Sequence, residues 1–203
     1  MADSKRMSKL AFDKQAPTYD YDMKGQHARE LYPVLLQRIA VIPFDSALDL
    51  GCGTGEMMKL ILQRHPQKRL CGLDLSEKML EVAEEKLHGK GKLILGDSEH
   101  LPYCDASFDL VYCNDSFHHY PHPQKVLEEV HRVLKEQGTL LLCDCWQPGA
   151  ARWIMNRFMK FSQEGDVKLY SEREIREMLS VANFHDVQWQ RIGSKAYIST
   201  GIK

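Results

Sequence analysis

Apolar and polar positions along this chain alternate between two rhythms. Over residues 26–40, Leu31, Val34, Leu35 and Ile39 recur at the 3.6-residue period of a helix with one buried face, and Pro43 closes it. The run Ala47-Leu48-Asp49-Leu50 then reads as a buried strand that ends in three alternate glycines, Gly51, Gly53 and Gly55, and a new helical pattern starts from Thr54 and runs through Met57 to Arg64. The cycle repeats. Strands are expected at 68–75, 92–97, 108–113 and 139–143. Between them lie a helix capped by Ser76 that stops near Gly89, and a helix over 121–135 with Gly138 suited to its C-terminal turn.

The flanks follow the same logic. Residues 10–16 have helical spacing until Pro17 stops them, and an aromatic, acidic loop follows in which Tyr19 and Tyr21 read more simply as surface packing residues than as a lid. Past the fifth strand come a helical stretch near 150–161 and a polar loop. Ser171-Glu172-Arg173-Glu174 is a capping box opening a helix through Ala182, and strands at 187–192 and 196–200 close the chain as an antiparallel pair. Strands alternating with helices predict an α/β fold: a doubly wound, mainly parallel sheet of seven strands with an antiparallel C-terminal pair.

Composition narrows the class without changing this picture. With 203 residues, 43% of them hydrophobic and 27% charged, the chain reads as one domain, 1–203. Its net charge of −1 argues against a broad nucleic-acid footprint. No apolar run reaches the ~20 residues of a membrane span, and no signal region follows the N-terminus, so a cytoplasmic location is expected. Six cysteines include no C-x-x-C pair, and most sit in apolar runs where a thiol acts as a small hydrophobe; no metal site is expected.

In doubly wound sheets ligands bind at the carboxyl ends of the strands, which nominates the 51–55 loop, Asp74, Asp97 and Asn114. Glu56 stands where a dinucleotide fingerprint would have its third glycine, and its charge at a helix N-terminus would oppose a pyrophosphate, so a cofactor without phosphates fits better. Asp74, an acceptor-only carboxylate, suits a ribose diol, against the plainer role of a charge favouring the helix behind Ser76. Asp97 and Ser98 could meet an adenine edge or cap a loop. Leu75 and Met79 could flank its ring, although Met79 is also an ordinary core position. The cluster Asn114-Asp115-Ser116-Phe117-His118-His119-Tyr120 follows the fourth strand; two adjacent histidines with no third ligand at helical spacing do not make a metal site, and each reads as a base, a hydrogen-bond partner or an exposed loop residue.

The order and spacing of several stretches resemble the class I S-adenosylmethionine-dependent methyltransferases, in particular the ubiquinone/menaquinone-biosynthesis type. These stretches are Leu48-Asp49-Leu50-Gly51-Cys52-Gly53-Thr54-Gly55, Gly72-Leu73-Asp74-Leu75-Ser76, Gly96-Asp97-Ser98-Glu99-His100-Leu101-Pro102, Ser107-Phe108-Asp109-Leu110-Val111 and His131-Arg132-Val133-Leu134-Lys135. The resemblance implies S-adenosylmethionine as cofactor and S-adenosylhomocysteine as product. It implies a binding set of Tyr19, Asp49, Gly51, Cys52, Gly53, Thr54, Gly55, Asp74, Leu75, Met79, Asp97, Ser98, Asn114 and Ser116. Residues 1–42 become an N-terminal helical lid, and 147–170 an insertion that shapes the acceptor pocket.

The function this implies is methyl transfer to a small-molecule acceptor by in-line displacement, with His119, His118 and Tyr120 as candidate bases if the acceptor must lose a proton. A non-catalytic cofactor-binding protein and a methyltransferase for nucleic acid or protein are the rival readings. A nicotinamide oxidoreductase is disfavoured by Glu56. No nucleic-acid partner and no membrane span are expected, and a homodimer stays open.

Overall fold

The computed structural model describes residues 2–203, with side chains from Ser4 onward. Seven helices and seven strands follow in the order α1 (Ala2–Gln15), α2 (Gln26–Ile39), β1 (Ser46–Leu50), α3 (Glu56–Arg64), β2 (Arg69–Asp74), α4 (Glu77–Leu87), β3 (Lys92–Leu95), β4 (Phe108–Asn114), α5 (Pro123–Val133), β5 (Leu134–Cys145), α6 (Gly149–Phe158), α7 (Glu172–Val181), β6 (His185–Ile192) and β7 (Ala196–Ile202). Single 3₁₀ turns sit at Phe117–His119 and Met159–Phe161.

All strands join one sheet in the order β3-β2-β1-β4-β5-β7-β6. The pairings β2–β1, β1–β4, β4–β5 and β2–β3 are parallel, whereas β7 runs antiparallel to both β5 and β6. β1, at the reversal of strand order, is buried along its whole length, which explains its apolar run at Ala47, Leu48 and Leu50 and leaves Asp49 as a buried carboxyl within it. One core packs α5 and α7 through Val126, Leu127, Val130, Ile175 and Leu179; the other packs α2 and α3 through Leu31, Leu35, Met57, Met58 and Ile61. The sheet is thus covered on both faces.

The expected caps are in place. Ser76 Oγ accepts from Met79 N at 3.1 Å, and Ser171 and Glu174 form the reciprocal capping box of α7. Three boundaries differ from expectation. α3 opens at Glu56, because Gly55 stands before it in the left-handed conformation (φ 71°). α1 begins well upstream of residue 10. Helix α5 stops at Val133 and strand β5 starts immediately at Leu134, so Gly138 closes no helix; it lies inside the strand, where Phe108 pairs Leu134 but Leu110 already pairs Thr139. Lys135 is drawn into this bulge by Asp109, 2.7 Å from its Nζ. Among the described residues no helix is long and apolar enough to cross a membrane.

Candidate functional site

The carboxyl ends of β1, β2, β3 and β4 open onto one cleft, and α1 lies across it. The site is organised by Asp74 at the end of β2. Its Oδ2 accepts from Gly53 N at 2.8 Å and its Oδ1 from Ser76 N at 2.8 Å, so one carboxylate ties the glycine loop to the start of α4. Burial pushes this carboxyl up while the surrounding backbone amides pull it down, and burial prevails.

Two glycines are dictated by geometry. Gly51 has φ 74°, and a Cβ on it would come within 2.3 Å of Ser116 Oγ. A Cβ on Gly53 would meet nothing within 4 Å and would project into the space a ligand would use. Beneath the loop, Ser116 Oγ and Tyr120 Oη lie 2.6 Å apart.

Of the residues expected at the site, Tyr19, Gly51, Gly53, Asp74, Leu75, Asp97, Ser98, Asn114, Ser116, His119 and Tyr120 line the cleft. The remainder support it from behind. Asp49 is buried within β1, where burial holds its carboxyl up at about 8. Cys52 packs inward against Gly72 of β2. Thr54 donates to Asp20 Oδ1 at 2.6 Å and accepts from Lys86 Nζ at 3.0 Å, a latch between the tyrosine loop and α4. Gly55 packs on Ala83 of α4, and Met79 is a core residue of the same helix.

A helical lid over 1–42 is what the resemblance implied, but the lining residues of α1 were not named from the sequence. Lys5, Ser8, Lys9 and Phe12 line the cleft from one face of that helix. Their spacing of three, four and seven residues carried the signal, but the polar N-terminus offered no apolar stripe to mark a helix there. Lys5 Nζ reaches Asp97 Oδ2 at 2.7 Å and Glu99 Oε1 at 2.8 Å.

At the other end stand the two histidines, in different states. His118 lies behind the wall, its Nδ1 2.6 Å from Asp144 Oδ1 and its backbone N donating to Asp144 Oδ2 at 3.0 Å. Burial opposes its charge, yet the Asp144 carboxylate overrides this and holds His118 well above the usual imidazole range. His119 lines the cleft, and burial followed by the charge on His118 drives it well below that range, so its imidazole is neutral. The Phe12 ring meets the His119 ring edge-on at 5.2 Å. Tyr120 is a half-buried phenol held neutral by desolvation, with its hydroxyl engaged by Ser116, so it serves as floor rather than base.

Asp115, His118, Asp144 and Cys145 bring one ligand atom each within 4.8 Å of one another, and His118, His119 and Asp166 do the same. The fold thereby supplies the third ligands that sequence spacing lacked. In the structure these atoms are already paired, His118 with Asp144 and His27 Nδ1 with Asp115 Oδ1 at 2.8 Å.

The donor set fits an adenosyl amino acid without phosphates. It offers the half-buried Asp74 carboxylate at mid-cleft, an open glycine backbone, and a buried Asn114 Oδ1 with no hydrogen-bond partner among the described residues. A doubly wound sheet with such a strand-end cleft defines a Rossmann-like nucleoside-binding protein. Comparison with known proteins agrees. Residues 48–142 match the family described as "Methyltransferase domain". The chain is 32% identical over 157 residues to a demethylmenaquinone methyltransferase of Thermotoga maritima, covering 74% of this chain and 66% of the relative, just under two thirds of its length. It is 31% identical over 179 residues to the demethylmenaquinone methyltransferase of Geobacillus stearothermophilus, covering 76% of each. Among solved structures, the YcgJ protein of Bacillus subtilis superposes with a TM-score of 0.73 at 21% identity, covering 86% of this chain and 98% of that one. This protein belongs to the class I S-adenosylmethionine-dependent methyltransferases.

Proposed function

We propose that the protein transfers the methyl group of S-adenosylmethionine to a small-molecule acceptor. When bound, the sulfonium cofactor supplies an activated methyl group and a neutral leaving thioether. Asp74 would hold the ribose hydroxyls, Ser98 and Asp97 the adenine edge, and the Gly51–Gly53 backbone with Asn114 Oδ1 the amino acid portion. The observation that carries the reading is that the neutral imidazole of His119 faces the same cleft as Asp74 and Asn114.

Alignment and exclusion of water account for much of the rate in such a displacement, with effective molarities of order 10⁵–10⁸ M attainable in oriented systems. Here α1, through Phe12, and Tyr19 form the cover that excludes water. An acceptor O–H, N–H or acidic C–H would give its proton to His119 as its heavy atom bonds to the methyl carbon and the carbon–sulfur bond breaks. The His118–Asp144 pair fixes the neighbouring ring and keeps His119 unprotonated before the reaction.

Phe12, Tyr19, Pro121 and neutral His119 make the acceptor end apolar, which favours an uncharged aromatic or enolic acceptor over a nucleic acid. The names of the demethylmenaquinone relatives support that class. On this reading residues 1–42 act as the lid, 147–170 shape the acceptor end, and the protein works in the cytoplasm. The test is twofold: calorimetric titration with S-adenosylmethionine, then transfer of a labelled methyl group across a panel of phenols, naphthols and amines. No binding at saturating cofactor removes the proposal, and firm binding with no transfer to any acceptor favours a non-catalytic protein.

A further inference from the structure

Helix α6 is built inside out. Its inward face is polar: Asn156 Nδ2 donates to Leu169 O at 2.9 Å, Leu169 N donates to Asn156 Oδ1 at 2.8 Å, and Arg152 donates to Gln147 O at 3.0 Å. No residue of α6 or of the 3₁₀ turn after it is buried. Outward, α6 exposes Trp153, Ile154, Met155 and Phe158, and the turn after it Phe161, by 71%, 52%, 42%, 60% and 69%. Scattered apolar residues are normal on a surface, but five large ones gathered on one short segment are not.

Charge identifies what covers this patch. Between Asp144 and Glu164 the chain has no acidic residue, while Arg152, Arg157 and Lys160 are basic. Arg157 and Lys160 are exposed among the aromatics, and Lys160 Nζ lies 5.0 Å from the centroid of the Phe161 ring. A second copy docked symmetrically would set these cations against their own counterparts. An anionic bilayer answers both features: aromatic and aliphatic side chains enter the acyl boundary, while arginine and lysine stay level with the phosphates.

We propose that α6 and the turn after it form an in-plane docking surface for anionic membrane. The same segment leads into the site. Residues 162–168 follow it directly, Val167 N and Lys168 N donate to His118 O at 2.8 and 3.2 Å, and Asp166 Oδ1 lies 3.2 Å from His119 Nδ1. Docking there holds the acceptor end of the cleft beside the lipid surface, from which an apolar acceptor can be drawn.

The test is co-sedimentation of the full chain with equimolar phosphatidylglycerol/phosphatidylcholine vesicles and with pure phosphatidylcholine vesicles, at low and high salt. No methyl donor or acceptor is present, so the result does not depend on the activity proposed above. Binding to the anionic vesicles is expected, weakened by salt and by R157E/K160E, and reduced more than about tenfold in W153S/F158S. The substituted side chains are exposed, and matched melting temperatures confirm that the variants fold. Failure to bind anionic vesicles at low salt would overturn the proposal. So would binding undiminished in W153S/F158S, or light scattering that shows a dimer abolished by that variant while vesicle binding is absent.

Discussion

Lys5 of α1 and Asp97 after β3 form an ion pair at 2.7 Å on the carboxylate proposed to meet the adenine amine. Burial pushes Asp97 up, but the Lys5 ammonium outweighs it and holds the carboxyl below its usual range. Lys5 has a second partner in Glu99, so it can release Asp97 without losing all its pairing. Both groups of the pair are partly solvated, and such pairs contribute about 0.2–1 kcal/mol. Lys5→Met is therefore expected to tighten S-adenosylmethionine binding by about two- to fivefold in calorimetry. Weaker binding would show that Lys5 supports the cofactor instead of competing with it.

Asp74→Ala removes the acceptor proposed for a ribose hydroxyl and also the partner of two backbone amides. The dissociation constant for S-adenosylmethionine should rise by about tenfold or more, as expected for losing a hydrogen bond to a charged group. An unchanged constant would end the ribose assignment.

His119→Ala should lower kcat by about 10²–10⁴ with an acceptor that must lose a proton, while cofactor affinity stays near the wild-type value. Equal activity of the variant would mean that the proton leaves by another route. His118 does not line the cleft, so Asp144→Asn should act indirectly, shifting the pH at which activity falls on the acid side.

The two histidines pull stability in opposite directions with pH. His118 has a folded pKa above its unfolded value, so its contribution is complete below about 6.5 and fades as pH rises through the raised value. His119 has a folded pKa below its unfolded value, so the fold loses stability as pH falls below about 6.5, where the unfolded chain binds a proton that the native site refuses. In melting curves from pH 5.5 to 8, His119→Asn should gain on the wild type at the acid end. A difference that does not vary with pH would contradict the neutral state of His119.

Gly51→Ala should destabilise the fold by about 1–3 kcal/mol, because it combines a left-handed backbone with a Cβ driven into Ser116. Adding Ser116→Gly relieves the clash but not the backbone strain. Chemical denaturation of the single and double variants should show partial recovery, and full recovery would mean that the backbone at residue 51 is unstrained.

Much of the fold was legible because its signals are local. The largely apolar run at 47–50, the Ser76 cap and the Ser171 capping box each report a neighbourhood of a few residues. The boundary between α5 and β5 was not, since Lys135 leaves the helix for Asp109 and that partner comes from another strand. At the site, the strand-end residues Asp74, Asp97 and Asn114 could be named from topology alone. The division of labour between His118 and His119 could not, because Asp144 and Asp166 reach them only through tertiary packing. Thr54, read as part of the ligand loop, is turned away by Asp20 and Lys86, which are likewise distant in sequence.

The backbone carbonyl of His118 has a consequence for selection of the acceptor. It receives both Val167 N and Lys168 N, so the strip that follows the outward-facing helix hangs from the residue beside the neutral imidazole. The rim beside the cleft and the two histidine rings are therefore joined through the main chain at residue 118, so a substitution at Val167 or Lys168 bears on the placement of both.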